Sequence, residues 1–128
     1  MSEENVEHLR AVYAEWAKGN FRAGEELWAP DIVFEAMSDG RSAIGRDAIE
    51  GFMREFLAQW TDFQIEATDL VERGDTILVT ERQRGTGKRS GIEIDQTDYA
   101  AWTFRDGLVT SVRWDIDRAS VLEAAGLA

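Results

Sequence analysis

The C-terminal third of the chain contains two segments in which apolar and polar residues alternate. They span residues 92–105 and 108–116, and Arg105-Asp106-Gly107 lies at their junction. Alternation with a period of two is typical of strands with one buried face, and Asp-Gly is a common hairpin turn. This stretch therefore predicts an antiparallel hairpin, which constrains the fold to one built around a sheet.

The turn permits two registers of the hairpin. A two-residue Asp106-Gly107 turn would pair Arg105 with Leu108, whereas a three-residue turn would pair Phe104 with Leu108. A slip of one residue moves every side chain to the other face, so burial favours the register with one coherent apolar face. We therefore predict the three-residue turn. Its apolar face would comprise Ala100, Trp102, Phe104, Leu108, Val112, Trp114 and Ile116.

One carboxylate, Asp98, falls on this predicted apolar face, opposite Trp114. A buried carboxylate is costly unless it is paired, hydrogen-bonded or protonated. Arg82 on the preceding strand would be a partner if the even-numbered residues of that strand point inward, as we expect. The opposite parity would bury Ile77 and Val79 and turn Arg82 outward.

The segments before the hairpin are predicted to be two helices, a strand, a third helix and two more strands, and a last helix would follow it. Asp117 is a plausible N-cap for that last helix. Helices followed by antiparallel strands favour a single α+β domain over residues 1–128, with helices on one face of a curved sheet. The predicted bounds are 3–18, 22–28, 47–60 and 118–125 for the helices and 32–37, 63–73 and 76–84 for the strands before the hairpin.

Composition excludes several classes of function. The chain has 25 acidic and 14 basic residues and a formal net charge of −11, so we expect neither nucleic acid nor an anionic membrane as partner. It has no cysteine, and His8 is its one histidine, which excludes thiolate, Ser-His-Asp and two-histidine metal chemistry. The polar start MSEENVEHLR does not read as a signal peptide, and we expect a cytoplasmic protein.

Six motifs spread over nearly the whole chain carry a family resemblance. They are YAEWAKGNF, LWAPDIVFE, AIGRDAIEGFM, GTGKRSG, WTFRDGLV and WDIDRASVLEAAGL. Together they resemble the SnoaL-like branch of the NTF2-like superfamily, whose cone fold is shared by ketosteroid isomerase, limonene epoxide hydrolase and polyketide cyclases. The resemblance implies a strongly curved, mostly antiparallel sheet with N-terminal helices on its concave face, an apolar pocket between them, and a homodimer.

The resemblance also implies which side chains approach the pocket. The hairpin register, and not the resemblance, makes Asp98 the candidate catalytic acid–base, while Tyr13 on the first helix, which the resemblance places near the pocket, is the candidate phenol that would work with it. The catalytic base of ketosteroid isomerases has no counterpart, because Ala36 follows the acidic Glu35. The expected substrate-binding side chains are Trp16, Phe34, Met53, Arg82, Trp102 and Trp114, with no metal or cofactor.

Three functions remain open at this point. The first is a cofactor-independent acid–base enzyme, an isomerase, cyclase or epoxide-hydrolase-like protein, acting on an apolar ring compound. The second is a module that binds an apolar small molecule without chemistry. The third is a dimeric structural domain whose pocket is incidental, because one scaffold of this kind hosts many functions.

Overall fold

A computed structural model describes residues 2–127, so the two ends of the predicted domain, Met1 and Ala128, lie outside the described residues. Helices open and close this part of the chain, and strands form most of what lies between. The helices are α1 (Ser2–Ala17), α2 (Arg46–Leu57) and α3 (Arg118–Ala124), with short 3-10 turns at Glu25–Leu27 and Met37–Asp39. The strands are β1 (Trp28–Ala36), β2 (Arg41–Ile44), β3 (Trp60–Arg73), β4 (Thr76–Gly87), β5 (Glu93–Arg105) and β6 (Leu108–Asp115).

The strands form one curved, unclosed sheet in the order β2-β1-β6-β5-β4-β3. β1 and β6 are parallel, and the other neighbouring pairs are antiparallel. α1 packs on β3, and α2 packs on β1. The predicted α+β class, with N-terminal helices on the concave face of a mostly antiparallel sheet, is therefore confirmed. Within residues 2–127, no helix is long and apolar enough to cross a bilayer.

The main core lies between α1 and the concave face. Leu9, Val12 and Trp16 lie at helical spacing on α1 and are buried against sheet residues such as Val79 and Trp102. Helical periodicity in the sequence thus identifies the buried side of this helix.

The predicted three-residue turn is wrong. Asp106 and Gly107 have φ angles of 53° and 80°, and Arg105 pairs with Leu108. Two consecutive positive φ values characterise the two-residue type I′ turn, whose twist matches that of the strands it joins. Leu108, expected on the apolar face, is therefore on the opposite face with exposed Arg105.

A bulge next to the turn returns the apolar side chains of β6 beyond Leu108 to the buried face of the sheet. Phe104 pairs with Val109, whereas Thr103 pairs with Ser111, so one extra residue lies in β6. Such a bulge shifts the register by one. It buries Val109 on the inner face and returns the rest of β6 to the parity that the alternation indicated.

Two further details of the predicted hairpin change with the register. Ala100, and not Asp98, pairs with Trp114. Ile116 lies beyond the end of β6 and is 55% exposed, although the sequence predicted it on the apolar face.

Several predicted bounds also differ before the hairpin. The helix expected at 22–28 is reduced to the 3-10 turn Glu25–Leu27, because Trp28 already begins β1. β2 lies between the strand expected at 32–37 and the helix expected at 47–60, where the sequence predicted only a loop. The helix expected at 47–60 ends at Leu57, and Trp60 begins β3.

The C-terminal helix lies on the convex face of the sheet. Asp117 caps α3 as predicted, since its carboxylate accepts a hydrogen bond of 3.1 Å from the Ser120 backbone N–H. Val121 of α3 packs on Leu78 and Ala101. This part of the convex face is therefore buried.

Candidate functional site

A cavity of about 240 Å³ lies between the concave face of the sheet and the helices. Its wall is mostly aliphatic and aromatic, as in many small-molecule sites. Lys and Arg are absent from the described residues that line it. Five of the side chains expected to bind substrate do line this cavity: Trp16, Phe34, Met53, Trp102 and Trp114.

Arg82, the sixth expected binding residue, does not reach the cavity. Its side chain is 44% exposed and forms a two-pronged ion pair with Asp95, with hydrogen bonds of 2.9 and 2.7 Å. Placing Arg82 on the pocket face was wrong because β4 has the opposite parity to the one expected. The odd-numbered residues Ile77 and Val79 are buried in the core, and even-numbered Arg82 points away from it.

The sequence signal for this parity is ambiguous because α3 covers part of the other face of β4. Residues 77–79 are Ile-Leu-Val, and all three are buried: Ile77 and Val79 in the main core, and Leu78 beneath α3. An apolar run has no periodicity to read. The consequence is that an inward-facing acid, Glu81, was missed.

Glu81 and Asp98 form a buried pair of carboxyl groups across β4 and β5. They are direct register partners, and they are 3% and 0% exposed. Their carboxyl groups therefore lie side by side on the concave face of the sheet. The expectation of one isolated inward carboxylate therefore becomes a pair, and the partner of Asp98 is an acid and not an arginine.

A chain of hydrogen bonds connects Tyr13 to this pair. The indole N–H of Trp102 donates to the Tyr13 hydroxyl over 2.9 Å, and the hydroxyl donates in turn to Oε2 of Glu81. Gln83 Nε2 lies 3.4 Å from Glu81 Oε1. Gln96 Nε2 donates to Asp98 Oδ2 over 3.0 Å. Each carboxyl group is thus held by an amide two residues away on its own strand.

The pair must hold a proton. The second oxygen of Asp98, Oδ1, is buried and has no donor among the described residues, while the neighbouring group is another carboxyl. Two ionised carboxylates buried side by side without a cation would repel each other, which favours a proton on one of them. Burial, followed by the interaction with Asp98, raises the pKa of Glu81 well above its usual range. We assign the proton to Glu81.

Tyr13 is neutral in the same network. Burial first, and then the electrostatic interaction with the neighbouring Glu81, raises the pKa of its phenol well above the ordinary value. The hydroxyl therefore serves as a hydrogen-bond donor that orients Glu81. Tyr13 also packs edge-on against Trp16 and Trp102, with ring centroids 4.9 and 5.9 Å apart.

The three acidic or phenolic groups differ in their access to the cavity. Glu81 is part of the wall, whereas Tyr13 and Asp98 lie behind it. A second carboxylate, Asp39, lies on the wall at an exposed position after β1. Glu81 is thus the buried acid that a ligand would meet, and Tyr13 and Asp98 reach a ligand through Glu81.

A buried carboxyl pair that shares one proton acts more readily as a base than as an acid. Loss of the shared proton would leave two negative charges side by side, whereas uptake of a second proton would neutralise both groups. The arrangement is therefore suited to taking a proton from a bound molecule and returning it.

Comparisons with known proteins identify the scaffold. The family model described as a SnoaL-like domain matches residues 9–112. An NTF2-like protein of unknown function from Burkholderia pseudomallei is 20% identical over 93% of this chain and 95% of its own, with a TM-score of 0.77. A protein from a Jannaschia species, assigned to the SnoaL-like polyketide cyclases, is 20% identical over 88% and 84%, with a TM-score of 0.78.

A third similar structure is a hypothetical protein of ketosteroid isomerase-like fold from Catenulispora acidiphila, in complex with trimethylamine. It is 20% identical over 98% of this chain and 94% of its own, with a TM-score of 0.72. No functionally curated protein matches the sequence. At these identities the likenesses show the fold, which is the cone fold of NTF2-like proteins.

Proposed function

Because this chain belongs to the SnoaL-like domain family, we propose that it is a cofactor-independent isomerase or cyclase that moves a proton on an apolar ring compound. One observation carries the proposal: Glu81, paired with Asp98, is a buried acid on the wall of an otherwise largely apolar cavity. A buried acid of raised pKa in a pocket is a strong candidate for acid–base catalysis. The similarity to a protein assigned to the polyketide cyclases supports a ring substrate.

The proposed step is proton abstraction from carbon next to a carbonyl group. Glu81 passes its own proton to Asp98 and takes the proton of the substrate C–H bond. The electron pair of that bond moves to the carbonyl oxygen as an enolate. Both carboxyl groups are then neutral, and the total charge of protein and substrate is unchanged. Return of the proton to another carbon gives an isomer, and attack of the enolate on a second carbonyl closes a ring.

Tyr13 and Asp98 are positioning residues in this proposal. Asp98 receives the proton that Glu81 releases, and Tyr13 fixes Glu81 by donating to Oε2. Glu81, which Tyr13 thus holds, is the catalytic residue. The aromatic wall, including Trp16 and Trp114, would hold the ring against it. An epoxide-hydrolase-like mechanism loses its support, since Arg82 lies on the other face of the sheet.

The test is exchange of carbon-bound hydrogen for deuterium in D₂O, which needs no knowledge of the natural product. We would incubate the protein with 2-tetralone or anthrone and follow exchange at the carbon beside the carbonyl by NMR. We expect faster exchange than in buffer alone, and a loss of about 10²–10⁴-fold in Glu81→Gln, as for removal of a general base. Asp98→Asn should also slow the exchange.

Glu72→Gln, an exposed glutamate on β3, is the matched control and should exchange at the wild-type rate. Circular dichroism would establish that the variants are folded. Ligands that stabilise the protein against heat but show no Glu81-dependent exchange would support a non-catalytic binding module instead. Dimerisation and a cytoplasmic location stay predictions from the sequence.

A further inference from the structure

We infer that the ligand is a neutral ring compound bearing a hydroxyl group, and that the side-chain carbonyl of Gln83 accepts the hydrogen bond of that hydroxyl. The inference deepens the proposed function, and it rests on that proposal only for the location of the site. It concerns recognition and not proton transfer, so each can fail without the other.

The carboxyl pair fixes the direction of two amide groups. Gln83 and Gln96 are register partners on β4 and β5, immediately beside the Glu81–Asp98 pair. Gln96 must present its NH₂ to Asp98 Oδ2, because an amide oxygen cannot bond to a carboxylate oxygen. Gln83 presents its NH₂ to Glu81 Oε1 in the same way. Both amide oxygens therefore face away from the carboxyl groups.

The amide oxygen of Gln83 has no protein partner. No described residue donates a hydrogen bond to Oε1 of Gln83. The unpartnered side-chain atoms that are sealed from solvent do not include this oxygen, so it remains accessible. Gln83 is 6% exposed and lines the cavity. A side chain so deeply buried, with an acceptor that remains accessible, presents that acceptor to whatever fills the cavity.

The polar atoms of the cavity wall are otherwise mainly acceptors. Gln96 also lines the cavity with its NH₂ engaged, and Asp39 adds a carboxylate. The indole nitrogens of Trp60 and Trp114 are sealed from solvent. The indole N–H of Trp28, which also lines the cavity, makes no hydrogen bond to the described residues and is not sealed from solvent. A ligand hydroxyl, which can both donate and accept, suits a wall with several free acceptors and this one donor.

The charge of the wall selects against anions. No Lys or Arg belongs to the part of the wall that the structure describes, while Asp39 lies on that wall and the buried carboxyl groups of Glu81 and Asp98 lie together beside it. A ligand carboxylate or phosphate would be desolvated against like charge, which costs affinity. A neutral hydroxylated ring satisfies the free acceptors without that cost.

The test compares four naphthalenes that differ in one substituent: 1-naphthol, 1-methoxynaphthalene, 1-methylnaphthalene and 1-naphthoate. Binding would be followed by quenching of tryptophan fluorescence. We expect 1-naphthol to bind the wild-type protein about tenfold more tightly than the methoxy or methyl compounds, the ratio expected of one buried neutral hydrogen bond. The naphthoate should bind more weakly than all three.

Gln83→Met, which keeps the length of the side chain but removes both its acceptor and its donor to Glu81, should reduce the naphthol preference to near unity. It should leave the affinity for 1-methylnaphthalene within about twofold, since that compound makes no such bond. Gln64→Met, at an exposed glutamine on β3, should keep the tenfold preference.

Equal affinity of the wild-type protein for naphthol and methoxynaphthalene would overturn the inference, as would tightest binding by naphthoate or no binding by naphthol. A naphthol preference that survives in Gln83→Met would overturn it too, because the inference assigns the hydrogen bond to that side chain. A naphthol preference without any Glu81-dependent exchange of ring ketones would leave the inference standing and remove the proposed enzyme. Glu81-dependent exchange of ring ketones without a naphthol preference would remove the hydroxyl subsite and leave the proposed enzyme standing.

Discussion

At the scale of single residues, the chemistry of this protein depends on the setting of Glu81. Three groups that the chain brings from distant positions, Tyr13, Gln83 and Asp98, surround its carboxyl group. The phenol and the Gln83 amide donate to its two oxygens, and Asp98 lies beside it in the register. A fully ionised Glu81 would lie beside Asp98 without a compensating cation, which is why burial keeps it neutral.

This setting predicts how stability depends on pH. The pKa of Glu81 is raised well above 4.5 in the folded protein, so the native state binds more protons than the unfolded state above about pH 4.5. The contribution of Glu81 is complete below the unfolded pKa and is lost as pH rises through the folded pKa. We expect the contribution of Glu81 to the free energy of unfolding in urea to fall as pH rises above about 5, by at most about 1.4 kcal/mol per pH unit for one proton.

Glu81→Gln should flatten that dependence. The glutamine can donate to Asp98 and accept from Tyr13, as protonated Glu81 does, but it does not titrate. Its unfolding free energy in urea should thus vary less with pH than that of the wild type, while exposed Glu72→Gln keeps the wild-type slope. Parallel curves for Glu81→Gln and wild type would mean that Glu81 is ionised in the native state.

At the scale of elements, the hairpin of β5 and β6 shows how local and tertiary preferences combine. Asp106-Gly107 forms the two-residue turn that the dipeptide favours locally. That turn alone would put Val109 and Val112 on opposite faces, and the bulge in β6 reconciles it with the core. The apolar pattern predicted which side chains are buried beyond the bulge, but it could not predict where the extra residue would be accommodated.

Replacing glycine by alanine should have opposite effects on stability at two positions, Gly107 in the hairpin turn and Gly51 in α2. Gly107 has a φ of 80°, so Gly107→Ala should lower the free energy of unfolding by about 1–2 kcal/mol. Gly51 lies inside α2, and a Cβ there would meet no atom within 4 Å. Gly51→Ala should raise stability by about 0.5–1 kcal/mol, because alanine favours the helix. Urea unfolding of both variants measures the two changes in the free energy of unfolding. Changes of the same sign in the two variants would contradict the assigned turn.

At the scale of the whole molecule, the two faces of the sheet have different environments. The concave face borders the cavity, whereas α3 seals part of the convex face. Adjacent alanines on β5 report this difference: Ala100 lines the cavity, and Ala101 packs beneath Val121. The cavity exists because the curved sheet and the two N-terminal helices enclose more space than their side chains fill.

This asymmetry predicts contrasting outcomes for the same enlargement on neighbouring residues. Ala101→Leu should destabilise the protein by about 1–3 kcal/mol, since it overfills a packed layer. Ala100→Leu extends into empty space and should cost less than about 1 kcal/mol, but it should weaken binding of 1-naphthol by at least tenfold. Thermal unfolding and tryptophan quenching measure the two effects. A larger loss of stability for Ala100→Leu would contradict the assignment of the faces.

The sequence alone determined the α+β class, the buried side of α1 and the Asp117 cap. It also determined the inward positions of Trp102, Trp114 and Asp98. These follow from local periodicity and from motifs that carry a family resemblance, and neither requires knowledge of distant contacts. The tertiary structure decided the parity of β4, and with it the exclusion of Arg82 and the placement of Glu81 beside Asp98. The physical reason is that both faces of β4 are buried near Leu78, so its pattern lacks the alternation that identifies an inner face. Only the packing of α3 on one side and α1 on the other distinguishes them.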